Sequence, residues 1–360
     1  MATCLSLSLA LSVQVTMRNT SLALLAFSSS AVAQFVSPAG YANLEGTSNN
    51  TFPFNATAFS YQQVHGDVQG SPRLIVGMAF RRDTGFTDFV TSTPRAITLD
   101  AFLGVGTFAT AGTTYASNYS SAPTQVITNK TFNTPDWTKL SIARPAPFNF
   151  SIAFDTPYVY TGTSDLVWEF RVTANTATGT YLTDFCSGSA VSTGSGSRAG
   201  TGTGCATSNG TMTLLSNWTT STTTHTLNWQ ALAGPGSAAG AVAVGAFPIA
   251  IPLPGLCGSG FIYTDGGVLV IPGTTSTTGA INTTNITVPY TAALIGTALY
   301  SQAAALDGSQ NFGFAVSNGL QSTLGDTAPG IQCARVWTSG NATATTGSIG
   351  NNNALVTQFR

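Results

Sequence analysis

The chain offers two histidines, His65 and His225, for base catalysis, and they lie far apart in sequence. That excludes a metal centre of several histidines, and a Ser-His-acid triad would have to use one of these two. His65 sits in QQVHGD (62–67), where Asp67 is placed to orient the imidazole as an acid orients a catalytic base. The plainer reading is a loop histidine beside an aspartate-containing turn. His225 follows a threonine run at a strand start and reads as an edge residue. Paired carboxylates would serve a glycosidase, and Asp165 with Glu169 is the pair closest in sequence on a predicted strand and its approach. Arg171 shares their face, however, so the ordinary expectation is a solvent-side Glu169–Arg171 pair and a turn aspartate. Asp83, Asp88 and Asp100 carry oxygen ligands suited to calcium, but they lack the alternating Asp spacing of a calcium loop. The Gly-rich GVGTF (104–108) has neither a following helix nor a lysine, so it reads as a turn and not a phosphate cradle. The sequence therefore assigns no catalytic, cofactor-binding or metal-ligating residue.

Binding chemistry is better represented. Tyr41, Tyr61, Tyr115, Tyr119, Trp137 and Tyr158 flank predicted loops and are the candidates for a ring-stacking platform, although core packing accounts for such residues equally well. Asn-x-Ser/Thr sites at Asn55, Asn118, Asn129, Asn149, Asn217, Asn285 and Asn341 would accept glycans in a eukaryotic secretory route. In a chain this rich in Asn and Thr they arise by composition alone.

The elements that must position these groups are strands. Leu74, Val76, Met78 and Phe80 alternate with Ile75, Gly77, Ala79 and Arg81, while Ile97, Leu99, Ala101 and Leu103 repeat the pattern. Phe148, Phe150, Ile152 and Phe154 follow suit, as do Leu166, Trp168 and Phe170 opposite Glu169 and Arg171. Period-2 alternation of this kind marks half-buried antiparallel strands. In the second half His225, Leu227, Trp229 and Ala231 share a face, and short strands are expected at 261–263, 268–271, 282–288, 297–306 and 312–316. Pro and Gly break the chain at short intervals, and no amphipathic run reaches helical length. The fold class expected is all-β, with two β-sandwich or jelly-roll-like domains at 34–185 and 205–326, and a tail of one or two strands at 327–360.

Between the domains, CSGSAVSTGSGSRAGTGTGC (186–205) is nearly all Gly, Ser, Thr and Ala, and 186–204 reads as an exposed connector. Charged residues make up 7% of the 360, far below the roughly 25% of ordinary soluble domains. No polybasic patch for nucleic acid or membrane exists, and a net charge of −1 points to no charged partner. From Met17 the chain reads as an export leader: Arg18, an apolar run from Leu22 to Phe27, then Ala31-Val32-Ala33 before Gln34. Residues 1–33 are thus expected to be removed, with Met17 the expected initiator and Cys4 lost with them. Four cysteines remain, an even number for an oxidising compartment. The favoured pairing is Cys205–Cys257 with Cys186–Cys333, which would return the tail to the first domain. The rival, Cys186–Cys205 with Cys257–Cys333, would cinch the connector. Ala238 to Leu256 comes nearest to a membrane span, but Pro248, Pro252 and Pro254 argue against it.

Several segments together carry a likeness: YANLEGTSNNTFPF (41–54), SYQQVHG (60–66), MAFRRD (78–83), PAPFNFSIAFDTPYVYTGTSDLVWEF (145–170), GTGC (202–205), IPLPGLCGSGFIYTD (251–265) and ALYSQAAALD (298–307). In these the chain resembles a multi-copy group of secreted proteins of planctomycete-type bacteria. The resemblance covers most of the chain beyond the leader and implies kinship and export; it carries over no functional residue. The expectation is a secreted, non-enzymatic structural or surface-interaction protein, extracellular, periplasmic or on the cell surface. Its partners would be polysaccharide or a cell-surface protein. A carbohydrate-binding or adhesive module is the alternative and a glycoside hydrolase the third reading, while oligomeric state is left open.

Overall fold

The computed structural model describes residues 34–84 and 92–360. The expected leader therefore lies outside the described residues, as does Asp88. Among the described residues every long element is a strand, and helix is limited to three single 3-10 turns at Phe108–Thr110, Ala116–Asn118 and Ala292–Leu294. None is long and apolar enough to cross a membrane.

The first core lies between two antiparallel sheets. One runs in the order Ser348–Asn351, Cys333–Ser339, Phe59–His65, Asp165–Asn175, Ala96–Gly106, Thr124–Asn133. The other runs Phe35–Ser37, Thr357–Phe359, Arg73–Phe80, Phe150–Tyr160. Rings from both faces meet in the middle: Phe80 stands edge-on to Trp168 at 5.9 Å and to Phe170 at 6.0 Å, and Tyr61 stacks on Trp168 at 5.3 Å. Alternation places these rings inside as expected, with one exception. A register shift between Ile75 and Gly77 reverses the phase of Arg73–Phe80, so Ile75 turns inward and Leu74 outward.

The second core is built from smaller residues. One sheet orders Gly194–Ser195, Thr213–Thr220, Thr224–Leu232 and Ile281–Asn282, with Ile286–Pro289 also on Thr224–Leu232. The other orders Ser197–Thr201, Gly319–Thr323, Ala298–Leu306, Ala239–Gly245 and Leu269–Thr274. Trp229, Leu214, Val242, Ala303 and Leu320 fill the space between them, and the Trp229 indole N–H donates to Ser301 Oγ at 3.1 Å. The disulfide Cys205–Cys257 staples this core. The glycines of GTGC fit it by lacking side chains: a Cβ on Gly202, at φ +67°, would meet the Tyr263 hydroxyl at 2.2 Å, and one on Gly204 would meet Met212 O at 1.8 Å.

Two expectations are corrected here. Segment 186–204 is not an exposed connector: Gly194–Ser195 and Ser197–Thr201 are strands of the second core's two sheets, and Ser195 and Arg198 are buried. Glycine and serine suit it because Gly194 and Gly196 lie against the backbone of Asp326 and Thr323, where a Cβ would come within 2.0 Å and 2.4 Å of a carbonyl. The tail does return to the first core, but by strand pairing: Cys333–Ser339 lies beside Phe59–His65 over seven residue pairs, and Asn353–Leu355 pairs with Thr183–Ser187. Gln63 clamps it further, donating to Leu355 O at 3.2 Å and accepting Leu355 N–H at 2.9 Å. Cys186 and Cys333 are both buried in a third cluster with Tyr41, Ile331, Ala354 and Val356, and both are free thiols. Each faces polar groups of its own. Cys333 Sγ lies 3.6 Å from both His65 Nδ1 and Asp67 Oδ1, while Cys186 packs beside Tyr41 and Asp184.

Candidate functional site

The fold gathers one group of catalytic residue types. Phe35–Ser37 at a sheet edge supplies Ser37, Phe59–His65 supplies His65, the turn after it Asp67, and Cys333–Ser339 the thiol. Ser37 Oγ lies 2.5 Å from His65 Nδ1 and 2.6 Å from Asp67 Oδ1. The direction of the hydrogen bonds decides what the group can do. The Trp168 indole N–H, a donor only, points at His65 Nε2 at 2.8 Å. The Gln63 amide nitrogen, oriented by its two bonds to Leu355, lies 2.9 Å from the same atom. Nε2 is therefore the acceptor, and this network assigns the imidazole proton to Nδ1. Nδ1–H donates to Ser37 Oγ, and the Ser37 hydroxyl donates to Asp67.

That order is the wrong one for a hydrolytic triad, in which the acid holds the imidazole and the imidazole takes the hydroxyl proton. Here the acid reaches the serine, and the imidazole has no lone pair facing it. Burial pushes the His65 pKa down to about 4 against the partial opposition of Asp67 and Asp165, so the ring is neutral. Burial likewise holds the Cys333 thiol well above its ordinary range. A cavity of about 450 Å³ lies outside, lined by Asp67, Gln69, Pro329 and Gln332. Ser37, His65 and Cys333 are fully buried and do not line it. The cluster ties the first strand, the tail strand and the core together.

His225 is not an edge residue. Its strand, Thr224–Leu232, is paired on both sides, and the ring is fully buried, stacked on Tyr290 at 5.1 Å. Thr291 N–H donates to its Nε2 at 3.0 Å, leaving Nδ1 to face Thr220 Oγ1 at 2.9 Å.

The carboxylate pair separates. Asp165 and Glu169 lie four residues apart on one strand, about 13 Å along it at the rise of an extended chain, beyond the spacing of either glycosidase geometry. Asp165 accepts Phe108 N–H at 2.6 Å and the Gln69 amide at 2.5 Å. Glu169 is not on the solvent side. It is 1% exposed, with Arg171 Nε at 2.7 Å on one oxygen and Gln62 at 3.1 Å and the Tyr119 hydroxyl at 3.2 Å on the other. Asp100 accepts the Asn129 N–H and the Gln125 amide, holding a strand irregularity.

Of the six aromatic candidates, four are core or near-core residues. Tyr41 donates to Pro329 O, Tyr61 to Gln63, Tyr115 to Ser60 O, and Trp137 to Asn149 while stacking on Tyr181 at 4.4 Å. Tyr119 and Tyr158 are half-buried on different elements. The six form no common platform, because Tyr41, Tyr61, Tyr115 and Trp137 are buried and Tyr119 and Tyr158 belong to different parts of the chain. A cavity of about 380 Å³ does bring Tyr115, Tyr119, Glu169 and Arg171 together with Thr114, Thr343 and Thr345.

Sequence reasoning missed the acidic group at the edge of the first core: Glu45, Asp83 and Asp184, each separated from the next by dozens of residues, with oxygens within 4.8 Å of one another. No spacing rule connects them, since strand Thr183–Ser187 meets the segment 45–50 only in the folded chain. The sequence signal available was MAFRRD itself, an unusually charged run at the end of a core strand.

Compared with family models, curated proteins and solved structures, the chain matches none of them.

Proposed function

We propose that this chain is exported and works as a non-enzymatic structural or surface-interaction protein. It is built as two β-sandwich or jelly-roll-like domains, 34–185 and a second that begins with the strands Gly194–Ser195 and Ser197–Thr201 and runs to 326, with the tail 327–360 completing the first. One observation carries the reading: Leu269–Thr274 is an edge strand whose free side is apolar and open to solvent. Val270 is 57% exposed, Leu269 and Val268 are also exposed, and Phe247, at the same end of the sheet, is 67% exposed. Pro272 blunts the far half of this edge, as prolines do on edge strands, so what the strand offers another surface is the exposed apolar patch of Val268, Leu269 and Val270. The surrounding surface is nearly free of charge, which suits contact with another weakly charged surface. The disulfide Cys205–Cys257 is compatible with an oxidising compartment.

Val270→Lys tests the reading. The side chain faces solvent, so the fold persists, and binding of the labelled chain to the cells that export it falls at least about fivefold, near 1 kcal/mol. Unchanged binding by a folded variant refutes it. The carbohydrate-binding alternative draws on the cavity of Tyr115, Tyr119, Glu169 and Arg171. A glycan array decides that point: saturable binding lost in Tyr119→Ala would favour it, and no bound glycan would exclude it. For a hydrolase, neither the separated Asp165 and Glu169 nor the buried, neutral His65 supplies the acid-base pair that the sequence offered.

A further inference from the structure

We propose that Glu45, Asp83 and Asp184 form a site for a divalent cation, calcium by the hardness of its donors, at the edge of the first core. The three residues are 2%, 8% and 1% exposed, and one oxygen from each lies within 4.8 Å of the others. Oxygens at such separations can all reach a calcium ion at 2.3–2.6 Å, and the absence of nitrogen or sulfur donors in this trio selects a hard cation.

Arg81 is the cation that binds the group, with Nε donating to Asp184 Oδ2 at 2.7 Å. Its other nitrogens are turned away from the trio, onto the carbonyls of Tyr41, Ala42 and Leu44. Gathering three carboxylates in a buried place costs several kcal/mol unless their charge is neutralised, and Arg81 answers Asp184 directly. Arg144 lies on the wall of the adjoining cavity, where it donates to Asn217.

Glu45 Oε1 accepts the Thr84 N–H at 2.5 Å, but Glu45 Oε2 is buried with no hydrogen-bond partner. The Thr84 hydroxyl, on the residue following Asp83, is also buried without one. Buried polar atoms are rarely left so, and a bound ion is one of the ordinary reasons. Asp184, by contrast, is oriented: Gly46 N–H holds Oδ1 at 2.8 Å and Arg81 holds Oδ2, each oxygen keeping a lone pair for a metal. Backbone bonds fix the ligands' positions, Asp184 N–H to Arg81 O at 3.0 Å and Val356 N–H to Asp184 O at 3.0 Å. Entry is through a cavity of about 410 Å³ lined by Glu45, Gly46, Thr47, Ser187 and Ser195. Calcium here would bind the segment before Ser48–Asn50 to strands Arg73–Phe80 and Thr183–Ser187.

The experiment uses the chain stripped with EDTA and titrated with calcium chloride, followed by calorimetry and by thermal unfolding. Saturable binding is expected with a Kd of about 10⁻⁴ to 10⁻³ M, the range of extracellular calcium modules, with a matching rise in Tm and weaker binding of magnesium. Glu45→Gln and Asp83→Asn each keep the side-chain shape, and each is expected to weaken the affinity at least about tenfold. No heat and no Tm shift at about 10 mM calcium, or equal affinity in both folded variants, overturns the proposal. So does a calcium-independent stability that rises as pH falls. That result would mean protons neutralise the trio, consistent with burial and the neighbouring Glu45 raising the Asp184 pKa.

Discussion

Lowering the pH should destabilise this protein through His65 in particular. The ring is fully buried and neutral, with Nε2 accepting from Trp168 and Nδ1–H donating to Ser37. A second proton on Nε2 would face the indole N–H, so the charged form loses that bond and gains no solvent. Its pKa is about 4 in the folded chain against an ordinary value of 6.5. The unfolded chain therefore takes up the proton first. The stability that the neutral ring confers is present above pH 6.5 and is lost as the pH falls toward 4. The difference amounts to about 3 kcal/mol across that window. Urea unfolding followed by tryptophan fluorescence at several pH values between 4 and 7 measures it, with His65→Gln as the comparison. The variant is less stable at pH 7, where it lacks the imidazole's bonds, but it should lose about 3 kcal/mol less than the parent between pH 7 and 4. Groups common to both cancel in that comparison, including Asp136, Asp155 and Asp307, whose hydrogen bonds lower their pKa values. With only two histidines in the chain, the imidazole resonances also report directly. Equal pH slopes in parent and variant, or a His65 resonance titrating near 6.5, would refute the reasoning.

Three further outcomes are expected. Replacing both Cys205 and Cys257 by serine removes a bridge spanning 52 residues and should cost about 4 kcal/mol in the chain-entropy account, read as a lower urea midpoint; no change would show that the loop is ordered without it. Peptide mapping after alkylation in denaturant should label Cys186 and Cys333 and recover Cys205 linked to Cys257, whereas a linked Cys186–Cys333 peptide would contradict the free thiols. Arg81→Met strands Asp184 and three carbonyls without their donor and should destabilise by about 3–5 kcal/mol; a loss below about 1 kcal/mol would mean that the guanidinium contributes little.

The chain's own pattern determined much of the local structure. Alternation of Leu99, Ala101 and Leu103, or of Leu166, Trp168 and Phe170, specifies strands with one face inward, because side-chain period and strand geometry are the same fact. The near absence of charge likewise specifies a surface solvated by hydroxyls, amides and backbone. What alternation leaves open is whether the other face is covered. Glu169 and His225 sit on strands whose positions are readable, yet both are buried, since sheet order and the loops above them are long-range outcomes. Composition misled in the segment 186–204 for a related reason. Gly and Ser signal an exposed connector when nothing lies close, but they also permit the tightest backbone approach, and only the fold distinguishes the two. The same holds for chemistry. Ser37, His65, Asp67 and Cys333 come together from the ends of the chain, and the direction of their hydrogen bonds is set by Trp168 and by Gln63, itself held by Leu355. Glu45, Asp83 and Asp184 share no spacing. They meet because Thr183–Ser187 pairs with Ser48–Asn50 and Asp184 N–H bonds Arg81 O, contacts that exist only once loop-closure entropy has been overcome by the core between them.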